Sequence, residues 1–252
     1  MAPAWSLSQL AWRIPILHPI PDAIIDKMIA IVKERIKGTL RPLLNDTFVL
    51  DLRDQLRDKT QVAVWIKAGK PAPAPEFVKR TTLAEFGAAF GLDTLIETGT
   101  FYGGALYALK KQFKTLYSIE LSPELAEKAK IRFRRYPHIH ILQGDSGRIL
   151  PQLMADISTP CLFWLDGHYS SGVTAKAELD TPIVAELQTI LGHSNKEHVI
   201  LIDDARLFDG THDYPTIDFL RDLLARERPD YVFEVVNDAI RAYPTKVVST
   251  TY

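Results

Sequence analysis

Residues 94–109, TLIETGTFYGGALYAL, pass from a short strand-like run (94–97) through Gly99, Gly103 and Gly104 into an apolar helical pattern. Glycines between a strand and a helix let a backbone come close to a ligand. Here the spacing is not G-x-G-x-x-G, and Glu97 stands two residues ahead of the first glycine, where its charge would repel a phosphate. A cationic ligand suits that carboxylate better.

Working outward, the same alternation repeats. Strand-like runs at 115–120 (TLYSIE), 138–143 (HIHILQ), 160–166 (PCLFWLD) and 198–203 (HVILID) are separated by helical patterns near 102–113, 122–135, 146–156, 178–191 and 215–227. A helix over about 76–90, ending at Gly91, precedes the first strand. Short apolar strands alternating with helices predict an α/β fold: a doubly wound, mostly parallel, Rossmann-like sheet of seven strands. The last stretch, YVFEVVNDAIRAYPT, has two extended runs around Asn237-Asp238 and predicts an antiparallel C-terminal hairpin.

Ligands of such sheets sit at the carboxyl ends of the strands, near the point where strand order reverses. The residues that end the runs or closely follow them include Glu97, Glu120, Asp145, Asp166, Asp203 and Asp204, all acidic. S-adenosylmethionine carries an ammonium and a sulfonium and no phosphate. Glu97 with Thr98, Gly99 and Gly103 could receive its amino-acid end. Glu120, at the second strand end, could accept from two ribose hydroxyls, and Asp145 with Ser146 could face the adenine. Asp145-Ser146 also reads as a helix N-cap, as does Ser122 followed by Pro123.

With these residues in view, the stretch from about 76 to 252 resembles the class I S-adenosylmethionine-dependent methyltransferases. ETGTFYGG is similar to the family's first motif, YSIELSPE to its second-strand acidic motif and QGDS to its adenine-side motif. The C-terminal hairpin also suits that fold.

The fourth and fifth strand ends bear on reaction type. FWLDGHYSSG and ILIDDARLF put Asp166, Asp203 and Asp204 on neighbouring strands, which lie about 4.8 Å apart. Three converging carboxylates raise one another's pKa unless something compensates them. A divalent cation such as Mg²⁺ does so while keeping positions open for substrate oxygens. The layout resembles the metal-dependent O-methyltransferases of catechol and macrocin type, which implies Asp166, Asp203 and Asp204 as metal ligands. The other reading has Asp166 contacting cofactor or substrate with no metal.

Candidate bases are His168 and His212, both in loops at the active face; in the sugar-modifying relatives a histidine after the fifth strand serves, and His212 is similarly placed. The polar loop DGHYSSGVTAKAELDTPI, with Ser171 and Gly172, is a candidate substrate cover. Lys79 and Arg80 are placed to reach the site entrance, and histidines 138, 140, 193 and 198 read as structural or exposed.

Composition bounds these readings. Of 252 residues 46% are hydrophobic, and the net charge of −1 gives no support for nucleic-acid binding. The single cysteine, Cys161, excludes an intrachain disulfide and a multi-cysteine zinc site. The N-terminal residues lack a basic region followed by a continuous apolar run, and the apolar stretch near 14–32 is broken by prolines and charges, so no secretory leader, no membrane span and a cytoplasmic protein are expected.

Residues 1–70 read as a mainly helical extension, 71–75 as a proline-rich connector and 76–252 as the Rossmann-like domain. Ile25, Met28, Ile29, Val32 and Ile36 form a stripe that could pack on the chain itself, on a membrane surface or on a second subunit in a homo-oligomer. Segment 46–67 is open, because VAVWI interrupts a helical pattern. The expected activity is O-methylation of a small-molecule or sugar hydroxyl. The alternatives are a metal-independent methyltransferase and a non-catalytic cofactor-binding module.

Overall fold

The computed structural model describes residues 58–166 and 181–245. The N-terminal apolar stripe, His168 and the loop with Ser171 and Gly172 lie outside the described residues. The chain divides into two compact units between Val78 and Lys79.

In the first unit, residues 58–67 are helical, which settles the open VAVWI segment. Val62 and Trp65, three apart, are buried, while Val64 and Ile66 face outward, so the run is amphipathic with helical period. Trp65 Nε1 donates to the Pro71 carbonyl at 2.7 Å, and Ala74 and Val78 pack with Val62 and Trp65. The proline-rich stretch thus folds back on this helix, because the indole needs a partner and offers an apolar face.

The second unit carries the sheet. From Glu76 onward the elements are α1 (Glu76–Ala89), β1 (Thr94–Thr98), α2 (Gly104–Leu109), β2 (Thr115–Glu120), α3 (Pro123–Phe133), β3 (Ile139–Gln143), α4 (Ser146–Ala155), β4 (Leu162–Leu165), α5 (Ile183–Gly192), β5 (Val199–Ile202), α6 (Ile217–Glu227), β6 (Tyr231–Val236) and β7 (Ala239–Pro244). Strand order is β3-β2-β1-β4-β5-β7-β6, with β1 to β5 parallel and β7 antiparallel to both neighbours. The seven-stranded Rossmann-like sheet with its antiparallel hairpin is therefore present as expected.

Every residue of β4 and β5 is buried, as strands covered on both faces require. The core joins Ile96, Ile119, Phe163, Leu165, Ile200 and Ile202 to the apolar faces of α4, α5 and α6. The hairpin turns on Asn237 and Asp238 with φ of 55° and 62°. Positive φ at both central residues is the primed geometry that matches strand twist, and Asn and Asp tolerate it. Among the described residues no helix is long and apolar enough to cross a membrane.

Order reverses between β1 and β4, so the crevice opens above their carboxyl ends. The ladder runs one residue past each strand there. Gly99 N donates to the Ile119 carbonyl (2.9 Å), Asp166 N to that of Thr98 (3.0 Å) and Asp203 N to that of Leu165 (3.0 Å). Those bonds set the acidic strand-end residues side by side.

Candidate active site

Glu97, one residue from the end of β1, is almost wholly buried and accepts from Ser118 Oγ of β2 at 2.5 Å. Ser118 Oγ also lies 2.6 Å from Thr100 Oγ1. A serine has one hydroxyl proton, already given to Glu97, so Thr100 donates to Ser118. The loop 99–103 is thereby tied to the Glu97 carboxylate.

Gly99 and Gly103 have φ of 88° and 70°, in the region that favours glycine. Between them Phe101 also takes positive φ (48°), which an aromatic residue rarely does. The result is that Phe101 N points at Glu120 Oε2, 2.8 Å away, while Ser122 N binds Oε1 at 2.9 Å. Each oxygen of Glu120 keeps a second lone pair. Phe101 and Tyr102 are exposed beside it, with ring centroids 4.1 Å apart.

Both expected caps are present. Ser122 accepts from Leu125 N at 3.3 Å, and Asp145 Oδ1 accepts from Gly147 N at 2.9 Å. Asp145 also sits 3.7 Å from Arg148.

Asp166, Asp203 and Asp204 converge, each offering an oxygen within 4.8 Å of the others. Asp203 Oδ1 accepts from Asp204 N (2.8 Å), and its Oδ2 lies 2.5 Å from Lys79 Nζ, which is 3.8 Å from Asp204 Oδ1. Arg206 Nη1 reaches Asp204 Oδ1 at 2.8 Å and is also bound by Asp238. Asp238 accepts from Arg206 N through its side chain and from Ala205 N through its carbonyl, so the hairpin tip braces the turn after β5. Burial and the neighbouring Asp166 hold the Asp203 carboxyl well above the usual carboxylate range, with Lys79 opposing and Asp204 adding to the shift.

The crevice beside these acids is lined by Asp166, Thr181, Glu186, Asp203, Asp204 and Tyr214, over Ile183, Ile202 and Phe208. Glu186 was not foreseen. It is 1% exposed, its Oε1 has no hydrogen-bond partner, and burial pushes its carboxyl up to about 7 against the pull of the Ser146 and Thr98 hydroxyls. Those pulls come from proximity: Thr98 Oγ1 is likewise buried without a hydrogen-bond partner. A sequence signal for Glu186 exists, because it falls on the apolar face of α5 among Ile183, Leu187 and Ile190.

His212 lies on an exposed stretch with φ of 52°, and the residue of its loop that lines the crevice is Tyr214. The structure brings together Asp166, Asp203 and Asp204 with Lys79, expected at the site entrance, and with the unforeseen Glu186. It leaves His212 outside that group.

Which group fits this donor set follows from charge. The carboxyl edge presents buried carboxylates and hydroxyls, suited to hydrogen-bond donors and cations rather than to phosphate. Three carboxylate oxygens so close match the hard oxygen ligands of Mg²⁺.

No protein-family model matches the sequence, and no curated protein matches it. Solved structures do. The O-methyltransferase TomG from Streptomyces achromogenes, involved in tomaymycin synthesis and solved with SAM, is 19% identical over 70% of this chain and 83% of its own, with a TM-score of 0.51. An O-methyltransferase from Bacillus cereus, solved with SAH, is 17% identical over 88% of this chain and 100% of its own, also at 0.51. At such identities the likeness is one of fold. The chain has the Rossmann-like methyltransferase fold.

Proposed function

We propose that the protein is an S-adenosylmethionine-dependent O-methyltransferase acting on a hydroxyl of a small molecule or sugar, with a divalent cation at Asp166, Asp203 and Asp204. The observation that carries the donor is the Glu120 carboxylate, buried, anchored by two backbone N–H groups and left with one lone pair on each oxygen. That is a receptor for a vicinal pair of hydroxyls such as a ribose presents. The two solved O-methyltransferases of the same fold, bound to SAM and SAH, support the same reading.

Glu97, held in place by Ser118, would take the ammonium, with Thr98, Gly99 and Gly103 forming the turn around it. Asp145 and Ser146, at the N-terminus of α4, would face the adenine. Bound there, S-adenosylmethionine supplies a methyl group whose carbon–sulfur bond breaks as a carbon–oxygen bond forms, releasing a neutral thioether. The chain's part is largely alignment of hydroxyl and methyl for in-line displacement. Asp166, Asp203 and Asp204 would hold a cation that acidifies the hydroxyl. The proton would go to a histidine of the flanking loops, His212 or His168.

A specific observation favours a second, metal-independent reading: Lys79 already brings a positive charge to Asp203 and Asp204. Calorimetry with S-adenosylhomocysteine tests the donor, and binding weakened by Glu120→Ala is expected. No binding to the parent protein sinks the proposal. Methyl transfer abolished by EDTA and restored by Mg²⁺ supports the cation, whereas activity indifferent to chelation selects the second reading.

A further inference from the structure

The Lys79–Asp203 pair bridges 124 residues of sequence, and its carboxylate lines the acidic crevice. The side chains of Lys79, Asp203 and Asp204 are 12%, 2% and 9% exposed, so the pair is shielded from water. Asp203 Oδ1 already accepts from the Asp204 backbone, and Oδ2 is the oxygen on Lys79. A cation taking an oxygen from each of Asp166, Asp203 and Asp204 competes with the ammonium for the Asp203 carboxylate.

Two basic groups meet these acids and differ in chemistry. Arg206 presents a planar fork to Asp204 and to Asp238 of the hairpin. Lys79, in contact with Asp203 and Asp204, is a point charge on a flexible four-carbon stem. The crevice is also lined by Glu186, whose buried Oε1 has no hydrogen-bond partner and is open to an additional polar guest.

We propose that Lys79 is the resident counter-ion of this cluster and that a divalent cation enters by displacing its ammonium from Asp203. The inference rests on the cation reading of Asp166, Asp203 and Asp204, and it makes metal occupancy a two-state exchange. With lysine in, the acids are partly compensated and the site is closed to metal. With lysine swung toward solvent, three carboxylates are released to the ion. The two arrangements exclude each other because ammonium and ion would repel at contact distance in a shielded crevice.

Mn²⁺ binding to the full-length chain tests this, by calorimetry and by the spin resonance of free Mn²⁺. Lys79→Met is expected to bind Mn²⁺ on the order of ten- to a hundredfold more tightly than the parent. Lys79→Arg, which keeps the charge, should stay near the parent, and Asp203→Asn should lose binding. In the parent, saturating Mn²⁺ should speed acetylation of Lys79, followed by peptide mass spectrometry; this arm stands even where Lys79→Met fails to fold. Equal affinity of Lys79→Met and parent, with Asp203→Asn still weakened, overturns the exchange and leaves the cation reading intact. Acetylation of Lys79 unmoved by bound Mn²⁺ overturns it as well. Absence of Mn²⁺ binding in every variant overturns both.

Discussion

Ser118 gives its hydroxyl proton to Glu97 at 2.5 Å, and this one bond fixes the direction of the buried relay from Thr100 through Ser118 to Glu97. A loop residue, a strand residue and the proposed ammonium receptor are thus oriented as one unit. The relay also explains how a carboxylate 3% exposed is tolerated at the end of a central strand: its charge is met by an O–H donor.

Ser118→Ala is expected to leave Glu97 and Thr100 each short of a partner. The cost should be about 1–3 kcal/mol of stability, read from thermal or urea unfolding. S-adenosylhomocysteine affinity should fall about tenfold, the equivalent of one oriented hydrogen bond. Ser118→Thr keeps the hydroxyl and should lie between the two. A melting temperature that drops while ligand affinity holds would make Glu97 a structural residue and move the ammonium site elsewhere.

Gly103 and Gly104 make a matched pair for testing the turn. A Cβ at Gly103 would meet Phe133 Cε2 at 2.6 Å and requires φ of +70°, whereas a Cβ at Gly104 meets nothing within 4 Å. Gly103→Ala should therefore destabilise by about 1–3 kcal/mol. Gly104→Ala, in the first turn of α2, should be neutral or stabilising by up to about 1 kcal/mol. Adding Phe133→Leu to Gly103→Ala should recover only part of the loss, because it relieves the contact and not the backbone. Equal melting temperatures for the two alanine variants would contradict this geometry.

Much of this site was legible because its signals are local. The strand runs, the Ser122 and Asp145 caps and the Asn237-Asp238 turn each follow from a few consecutive residues. The convergence of Asp166 with Asp203 and Asp204 followed from parallel topology once the strands were placed. Lys79 pairing with Asp203 did not, since nothing local says which strand end a lysine on a distant helix will reach. Glu186 is readable only from the phase of α5, against the rule that an acid in a helix is ordinarily solvated. The VAVWI run is ambiguous by composition, as β-branched residues favour strands in general while Val62 and Trp65 are spaced for a helix here.

Glu186 gives the protein an alkaline weakness. Its carboxyl is raised to about 7 in the fold from 4.5, because burial penalises the charge. Below pH 4.5 it is neutral in both folded and unfolded chains and costs nothing. As pH rises through this window the unfolded chain ionises first, so stability falls by up to about 3 kcal/mol by pH 8. Glu186→Gln should remove that slope, matching the parent near pH 4 and exceeding it near pH 8 in urea unfolding. A variant parallel to the parent at every pH would show that the carboxyl is ionised with a partner in the fold.

His198 has the opposite sign. Cys161 N donates to its Nδ1 at 3.1 Å, so the ring proton is on Nε2 and goes to His193 Nδ1 at 2.9 Å. His193 in turn donates from Nε2 to the Ile157 carbonyl, 3.1 Å away. The relay holds only while both rings are neutral, and burial, with His193, lowers the His198 pKa to about 4 from 6.5. Above pH 6.5 the group is neutral in either state. As pH falls from there toward 4, the unfolded chain takes up the proton first and up to about 3 kcal/mol of stability is lost. Between pH 4.5 and 6.5 the Glu186 and His198 slopes offset in the parent. Stability should therefore fall with rising pH in His198→Asn and climb in Glu186→Gln, while the double variant loses both contributions. Slopes of the same sign in the two single variants would refute the neutral relay.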